Sequence, residues 1–107
     1  MTEQPVLGYL TQFIKPQANE FTVYSKSGCP NCVKVKKLLA DKHIKFTVID
    51  CDDYLVDNKE AFLVFIQEIA KKECRMFPMV FDGNAFIGGY ADTTEYINKL
   101  VDFYTDF

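Results

Sequence analysis

The sequence predicts an α/β fold, a four-stranded mixed sheet flanked by helices. Three observations lead there. Short runs rich in β-branched and aromatic residues alternate with longer stretches of helical periodicity. Early in the chain a strand, a helix and a second strand follow one another closely, and such a unit forces a parallel pair with a right-handed crossover. Near the end, Asp82-Gly83 separates two apolar runs, which is the chemistry of a hairpin turn and adds antiparallel strands.

The elements follow in order. Pro5 opens a helical pattern carried by Leu7, Leu10, Phe13 and Ile14 and broken at Pro16, so residues 1–19 are expected to hold an N-terminal helix and residues 20–107 the core of a single domain. "FTVYS" (21–25) reads as a strand. "VKVKKLLADKHI" reads as a basic helix that starts near Pro30, turns Val35, Leu38 and Leu39 to a core, and leaves His43 at its exposed end. "KFTVID" (45–50) is the second strand and "CDDYLV" a loop. Asp57 and Glu60 form a D-x-x-E capping signature before a helix over about 58–72, with Phe62, Phe65, Ile66 and Ile69 as its apolar stripe. "MFPMVFDGNAFIGG" gives two short strands. Asp92 and Glu95 repeat the capping signature, and Tyr96, Ile97, Leu100, Val101 and Tyr104 line one face of the last helix. No repeat, low-complexity tract or linker divides the chain, which fits one domain over 1–107.

Composition narrows the function. With 107 residues, 49% of them hydrophobic, the chain is large enough for one core. A formal net charge of −3 gives no general attraction to nucleic acid or to anionic lipid. No apolar run is long enough to cross a bilayer. "MTEQPVLGYL" lacks the basic and apolar regions of a signal peptide, so a cytoplasmic, reducing location is expected. There the four cysteines (29, 32, 51 and 74) read as free or catalytic thiols rather than as a disulfide framework.

"SGCPNC" (27–32) is the motif that carries chemistry. A Cys-x-x-Cys pair ligates a metal, forms an inert disulfide or exchanges electrons with other thiols. An inert disulfide does not suit a reducing compartment. A structural zinc site needs four ligands, and Cys51, Cys74 and His43 are too scattered to complete one, so no metal is expected. The placement between a strand and a helix favours redox exchange. Cys29 falls at the helix N-terminus, with Pro30 at the first helical position and Cys32 in the first turn. First-turn N–H groups and the helix dipole favour a thiolate at Cys29, as do Lys26, Lys34, Lys36 and Lys37 wherever they point toward it. Cys51 and Cys74 read as small buried residues or, more sharply, as sites of regulatory oxidation.

With that placement, the chain resembles the glutaredoxin family, the dithiol class of the thioredoxin-like fold, over about residues 20–104. "KSGCPNC" is similar to the family's Lys-x-x-Cys-Pro-Tyr-Cys, "RMFP" (75–78) to its Arg-Thr-Val-Pro, and "IGGYAD" (87–92) to its Gly-Gly-x-x-Asp. The resemblance implies a glutathione-dependent thiol–disulfide oxidoreductase. Cys29 would be the nucleophile and Cys32 the resolving thiol, with glutathione as reducing co-substrate, recycled by glutathione reductase and NADPH. Its partners would be disulfide-containing or glutathionylated proteins, and it would act as a monomer. The glutathione site would comprise Lys26, Asn31, Arg75, Phe77, Pro78, Gly89, Tyr90, Ala91 and Asp92. Pro78 would be a cis-proline, Lys26 and Arg75 would meet the carboxylates, and Asp92 the γ-glutamyl amine.

These residues also have plainer readings: Lys26 as a solvated loop charge, Arg75 as the cation ending a helix, Asp92 as an N-cap, and Gly88-Gly89 as a tight turn. The chain departs from the family pattern at Asn31, which replaces an aromatic, and at Met76-Phe77. Gln67 lies out of register with the polar residue of the family's third helix. The alternative function is a [2Fe–2S] cluster carrier, in which two monomers hold the cluster through the first cysteine and bound glutathione. Pro30 and Cys32 disfavour it, and Asn31 leaves room for it. A non-catalytic interaction module is the third reading.

Overall fold

The β-branched and aromatic run Phe21–Ser25 forms strand β1, and all five of its residues are buried. The computed structural model describes the backbone of residues 13–104 and the side chains of residues 13–100. After β1 come α1 (Pro30–Asp41), β2 (Phe46–Asp50), α2 (Asp52–Asp57), α3 (Lys59–Ala70), β3 (Met79–Asp82), β4 (Ala85–Gly88) and α4 (Tyr90–Tyr104). The sheet runs β2-β1-β3-β4. β1 pairs parallel with β2, in the register Val23↔Val48, and antiparallel with β3, in the register Val23↔Val80. The turn Gly83-Asn84 joins β3 to β4, and Gly83 takes a φ of 59°, the left-handed conformation that suits glycine. The expected four-stranded mixed sheet with flanking helices is therefore present.

The two-residue period of β1 divides the core. Phe21 and Val23 pack with Val35, Leu39, Val80 and Ile97 on the face covered by α1 and α4. Tyr24 packs with Ile49, Phe62, Phe65, Ile66, Met79 and Phe81 on the face covered by α3. The α3 face is strongly aromatic. Phe62 lies 5.4 Å from Tyr54, 6.1 Å from Tyr24 and 5.6 Å from Phe13, measured between ring centroids. Tyr24 keeps its hydroxyl satisfied by donating to the Ile14 carbonyl at 2.6 Å.

Several boundaries differ from the sequence reading. Asp52–Asp57 is a short helix rather than a loop. Asp52 and Asp53 supply negative charge to its first turn, and the Asp50 carboxylate accepts from the Asp52 N–H at 2.9 Å. The Asp57/Glu60 capping box does not form. Asn58, at φ −148° and ψ 53°, breaks the chain between α2 and α3 and makes no side-chain cap. The helix expected to reach 72 ends at Ala70, with Lys71 left-handed at φ 66°. Likewise α1 stops at Asp41, and His43 is left-handed at φ 59°. There the N–H of His43 bonds the Ala40 carbonyl and that of Ile44 bonds the Leu39 carbonyl, which closes the helix with a Schellman pattern. The last helix begins at Tyr90, so Asp92 sits inside its first turn rather than capping it, and the Thr93 N–H and hydroxyl both donate to the Gly89 carbonyl. The N-terminal helix expected within residues 1–19 lies largely outside the described residues. Of its stripe, Phe13 is buried and Ile14 exposed, and neither is helical. The Val101 and Tyr104 side chains are also outside the described set.

Phe62 is fully buried at the centre of the aromatic cluster. Phe62→Ala is expected to lower unfolding free energy by about 3–5 kcal/mol, because truncation loses the transfer term and leaves a cavity. Urea unfolding followed by far-UV circular dichroism measures the loss.

Candidate functional site

β1 ends at Ser25 and delivers the loop Lys26-Ser27-Gly28 to the start of α1. Gly28 has a φ of 67° and a Cβ there would meet nothing within 4 Å, so conformation rather than space calls for glycine. Cys29 is the N-cap of α1, at φ −117° and ψ 101°, and Pro30 occupies the first turn. The Cys32 N–H donates to Cys29 Sγ at 3.2 Å. Sulfur thus takes the place of the usual capping oxygen. From the other side, the Cys29 thiol lies 3.7 Å from the Phe77 carbonyl, toward which it donates, and the Phe77–Pro78 peptide is cis. Cys29 is half-buried and Cys32 is buried. Burial pushes the Cys32 thiol up, and its hydrogen bond with Cys29 adds to that.

The loop is tied down by a residue the sequence reading left in a loop. Asp52 accepts from the Ser27 N–H at 2.9 Å and from the Ser27 hydroxyl at 2.5 Å. Those two bonds, and then the Lys26 charge, hold the Asp52 carboxyl below the usual range. Helix α2 is thereby fastened to the cysteine loop.

The expected ligand residues separate into groups. Lys26, Arg75 and Phe77 line one cavity of about 260 Å³ together with Leu55, Lys59 and Leu63. The Lys26 ammonium stands 5.7 Å over the Phe77 ring, which stacks on Phe62 at 6.1 Å with an interplanar angle of 6°. Arg75 does not end a helix. It lies in the segment after α3 and pairs with Glu60 at 3.3 Å, where both side chains are largely exposed. Pro78 is buried and close to Gly89, whose Cβ would stand 3.7 Å from the Pro78 carbonyl oxygen. That is ordinary contact. The constrained glycine is Gly88 instead, at φ 135°, where a Cβ would collide with the Asp92 carboxylate. Tyr90 packs toward α1, its ring 5.9 Å from the Lys34 ammonium. Asn31 and Ala91 are exposed and line neither this cavity nor the one between α1 and β2. Lys59 was not singled out in the sequence. A lone lysine at a helix start carries no local signal, and only the fold brings it beside Lys26 and Arg75. Among the described residues, no cluster of three or more His, Cys, Asp or Glu is arranged to hold a metal ion.

Cys51, the residue before α2, is buried, and burial pushes its thiol up to about 12. Its N–H bonds the Ser25 carbonyl at 2.8 Å. Cys74 is half-buried, its thiol 3.6 Å from the Met76 carbonyl.

Three comparisons bear on this arrangement. The family model described as Glutaredoxin matches residues 21–87, which takes in the cysteine motif and the cis-proline and stops short of Asp92. A glutaredoxin of Ricinus communis is 35% identical over 77 residues, 72% of this chain and 72% of its own length. The hybrid peroxiredoxin hyPrx5 of Haemophilus influenzae is 28% identical over 90 residues, but the chain spans only 34% of it. Against several other curated relatives, too, the chain spans less than two thirds of their length. Among solved structures, a buckwheat glutaredoxin–glutathione complex superposes with a TM-score of 0.70 at 27% identity, covering 99% of this chain and 96% of that one.

The raised Cys51 thiol has a pH consequence. Folded protein holds the Cys51 proton between the ordinary thiol value of 9.0 and about 12, whereas unfolded protein releases it. The contribution is therefore complete below pH 9.0 and is lost as pH rises toward 12. Cys51→Ala should make the alkaline fall in stability shallower, by at most about 1.4 kcal/mol per pH unit, the ceiling for one proton. Urea titrations of both proteins at pH 8 and above measure the difference in slope.

Proposed function

The chain belongs to the glutaredoxin family, and on that premise we propose that it is a dithiol, glutathione-dependent thiol–disulfide oxidoreductase. The observation that carries the reading is the sulfur N-cap. A backbone donor 3.2 Å from Cys29 Sγ stabilises negative charge on that atom, at the N-terminal end of a helix dipole.

That geometry supports the following chemistry. Cys29 thiolate attacks the glutathione sulfur of a mixed disulfide. A Cys29–glutathione bond forms, the original disulfide bond breaks, and the substrate thiolate leaves and takes a proton from water. A second glutathione thiolate then attacks the bound glutathionyl sulfur, releasing oxidised glutathione and restoring Cys29. On a protein disulfide, Cys29 first forms a mixed disulfide with the protein. Cys32 then loses its proton, attacks Cys29 Sγ and expels the protein thiolate, leaving a Cys29–Cys32 disulfide for glutathione to reduce. Burial, and then its hydrogen bond with Cys29, raise the Cys32 thiol and so hold it protonated in the resting protein.

The cavity beside Phe77 gathers Lys26, Lys59 and Arg75. Glutathione carries two carboxylates, and we assign them to these cations, with Asp92 taking the ammonium. Phe77 and Gly89 would supply backbone contacts alongside Pro78, and Asn31, Tyr90 and Ala91 the rim.

Cys29→Ser is expected to abolish turnover in an assay coupled to glutathione reductase and NADPH. Cys32→Ser should keep activity on glutathione mixed disulfides and lose it on protein disulfides, and equal loss on both would rule out the two-route scheme. Lys59→Gln should raise the apparent KM for glutathione by about two- to fivefold, the range of an exposed charge pair. That effect should shrink with added salt, and glutathione saturation curves at two ionic strengths check it.

A further inference from the structure

The carboxyl ends of β1 and β2 lie side by side, with Ser25 opposite Asp50. Beyond that point the two chains part, one into the cysteine loop and the other into α2, and polar bonds still tie them. The Cys51 N–H bonds the Ser25 carbonyl at 2.8 Å. Asp50 accepts from the Asp52 N–H at 2.9 Å. The Asp52 carboxylate then turns both oxygens to Ser27. One accepts from the Ser27 N–H at 2.9 Å and the other from the Ser27 hydroxyl at 2.5 Å.

The loop has little else to fix it. Lys26, Ser27 and Gly28 are all exposed. Outside the helices and strands, none of the backbone–backbone hydrogen bonds among the described residues involves any of the three. Gly28, at φ 67°, opens further conformations to the chain at low cost. Yet the next residue is Cys29, whose φ of −117° and ψ of 101° set Sγ 3.2 Å from the Cys32 N–H. Asp52 also bears on the cavity assigned above to glutathione. Leu55 lies three residues further along α2, about one turn, and lines that cavity together with Lys26. One carboxylate therefore joins a wall contributed by α2 to a wall contributed by the cysteine loop.

We infer that Asp52 is a positioning residue: clamped on Ser27, it holds the Cys29 sulfur on its backbone donor and keeps Lys26 and Leu55 in place as two walls of the glutathione cavity. The second half of that role rests on the glutathione reading above. A carboxylate near a thiol also acts by plain repulsion, which disfavours the thiolate. The two actions have opposite signs. Loss of the clamp frees the sulfur from its donor and raises the Cys29 thiol, whereas loss of the charge alone lowers it. Substitution at Asp52 leaves the lysines of the loop and of α1, Asp50 and the Cys32 thiol as they are.

Asp52→Ala and Asp52→Asn separate the two actions. Asparagine can keep both bonds, its Oδ1 accepting from the Ser27 N–H and its Nδ2 donating to the Ser27 hydroxyl, whereas alanine keeps neither. Alkylation of Cys29 by iodoacetamide is followed against pH in the reduced protein by mass spectrometry, with Cys29 and Cys32 resolved by fragmentation. Asp52→Ala should move the Cys29 midpoint up by about 0.5–1 pH unit. It should also raise the apparent KM for glutathione by about two- to fivefold. Asp52→Asn should leave both near wild type. Equal shifts in the two variants, in either direction, or an unmoved midpoint in Asp52→Ala, overturn the positioning role. A raised midpoint with an unchanged KM overturns the link to the cavity. Ser27→Ala, which keeps one of the two bonds, should move the midpoint the same way by less, and it carries the test if Asp52→Ala does not fold. Alkylation uses no glutathione. A wild-type protein that does not saturate with glutathione therefore overturns the reading of the cavity and leaves the clamp on Cys29 standing.

Discussion

Burial of β1 on both faces is the constraint on which the rest depends. A strand with no exposed residue, even one that carries Thr22 and Ser25, obliges the chain to supply a layer of helix on each side. It also fixes where the chemistry goes. The carboxyl end of β1 lies beside that of its parallel partner β2, at the start of the crossover helix, and there the cysteine loop is delivered against the N-terminus of α1. The antiparallel neighbour β3 brings the cis Phe77–Pro78 peptide to the same end. The Cys29 sulfur, its N–H donor and the facing carbonyl are thus held by three elements that all pair with or follow from one strand.

What could be read in the sequence was what repeats with a period. β1 and β2 declare themselves by branched and aromatic residues, and α3 by Phe62, Phe65 and Ile66 at helical spacing. Helix α2 gives no such sign, because none of its six residues is buried. It exists through charge at its first turn and through bonds to Asp50 and from Ser27, which are visible only once the strand end and the loop lie side by side. The two D-x-x-E patterns misled for a related reason. A capping box is a statement about backbone angles as much as about residue types, and Asn58 and Gly88 set those angles otherwise.

The site divides in the same way. The positions of Cys29, Pro30 and Cys32 follow from local rules about helix starts. Pro78 and Phe77 could be placed opposite them only through the family resemblance, since nothing near residue 77 in the chain refers to residue 29. Lys59 and Asp52 were invisible because their meaning lies in tertiary neighbours. Gly88-Gly89 read as a tight turn, and only the structure says that Gly88 is the member with the positive φ.

The Phe77 ring lies between the Lys26 ammonium on one side and the fully buried Phe62 ring on the other. The wall of the cavity that Lys26, Lys59 and Arg75 line is therefore also the outermost layer of the hydrophobic core. In an evolving lineage such a shared layer ties thermal tolerance to the shape of the cavity: drift that loosens the interior reshapes it, and a change of its lining draws on the protein's reserve against unfolding. The opposite rim of the cysteine loop, walled by exposed valines and a lysine, carries no such debt.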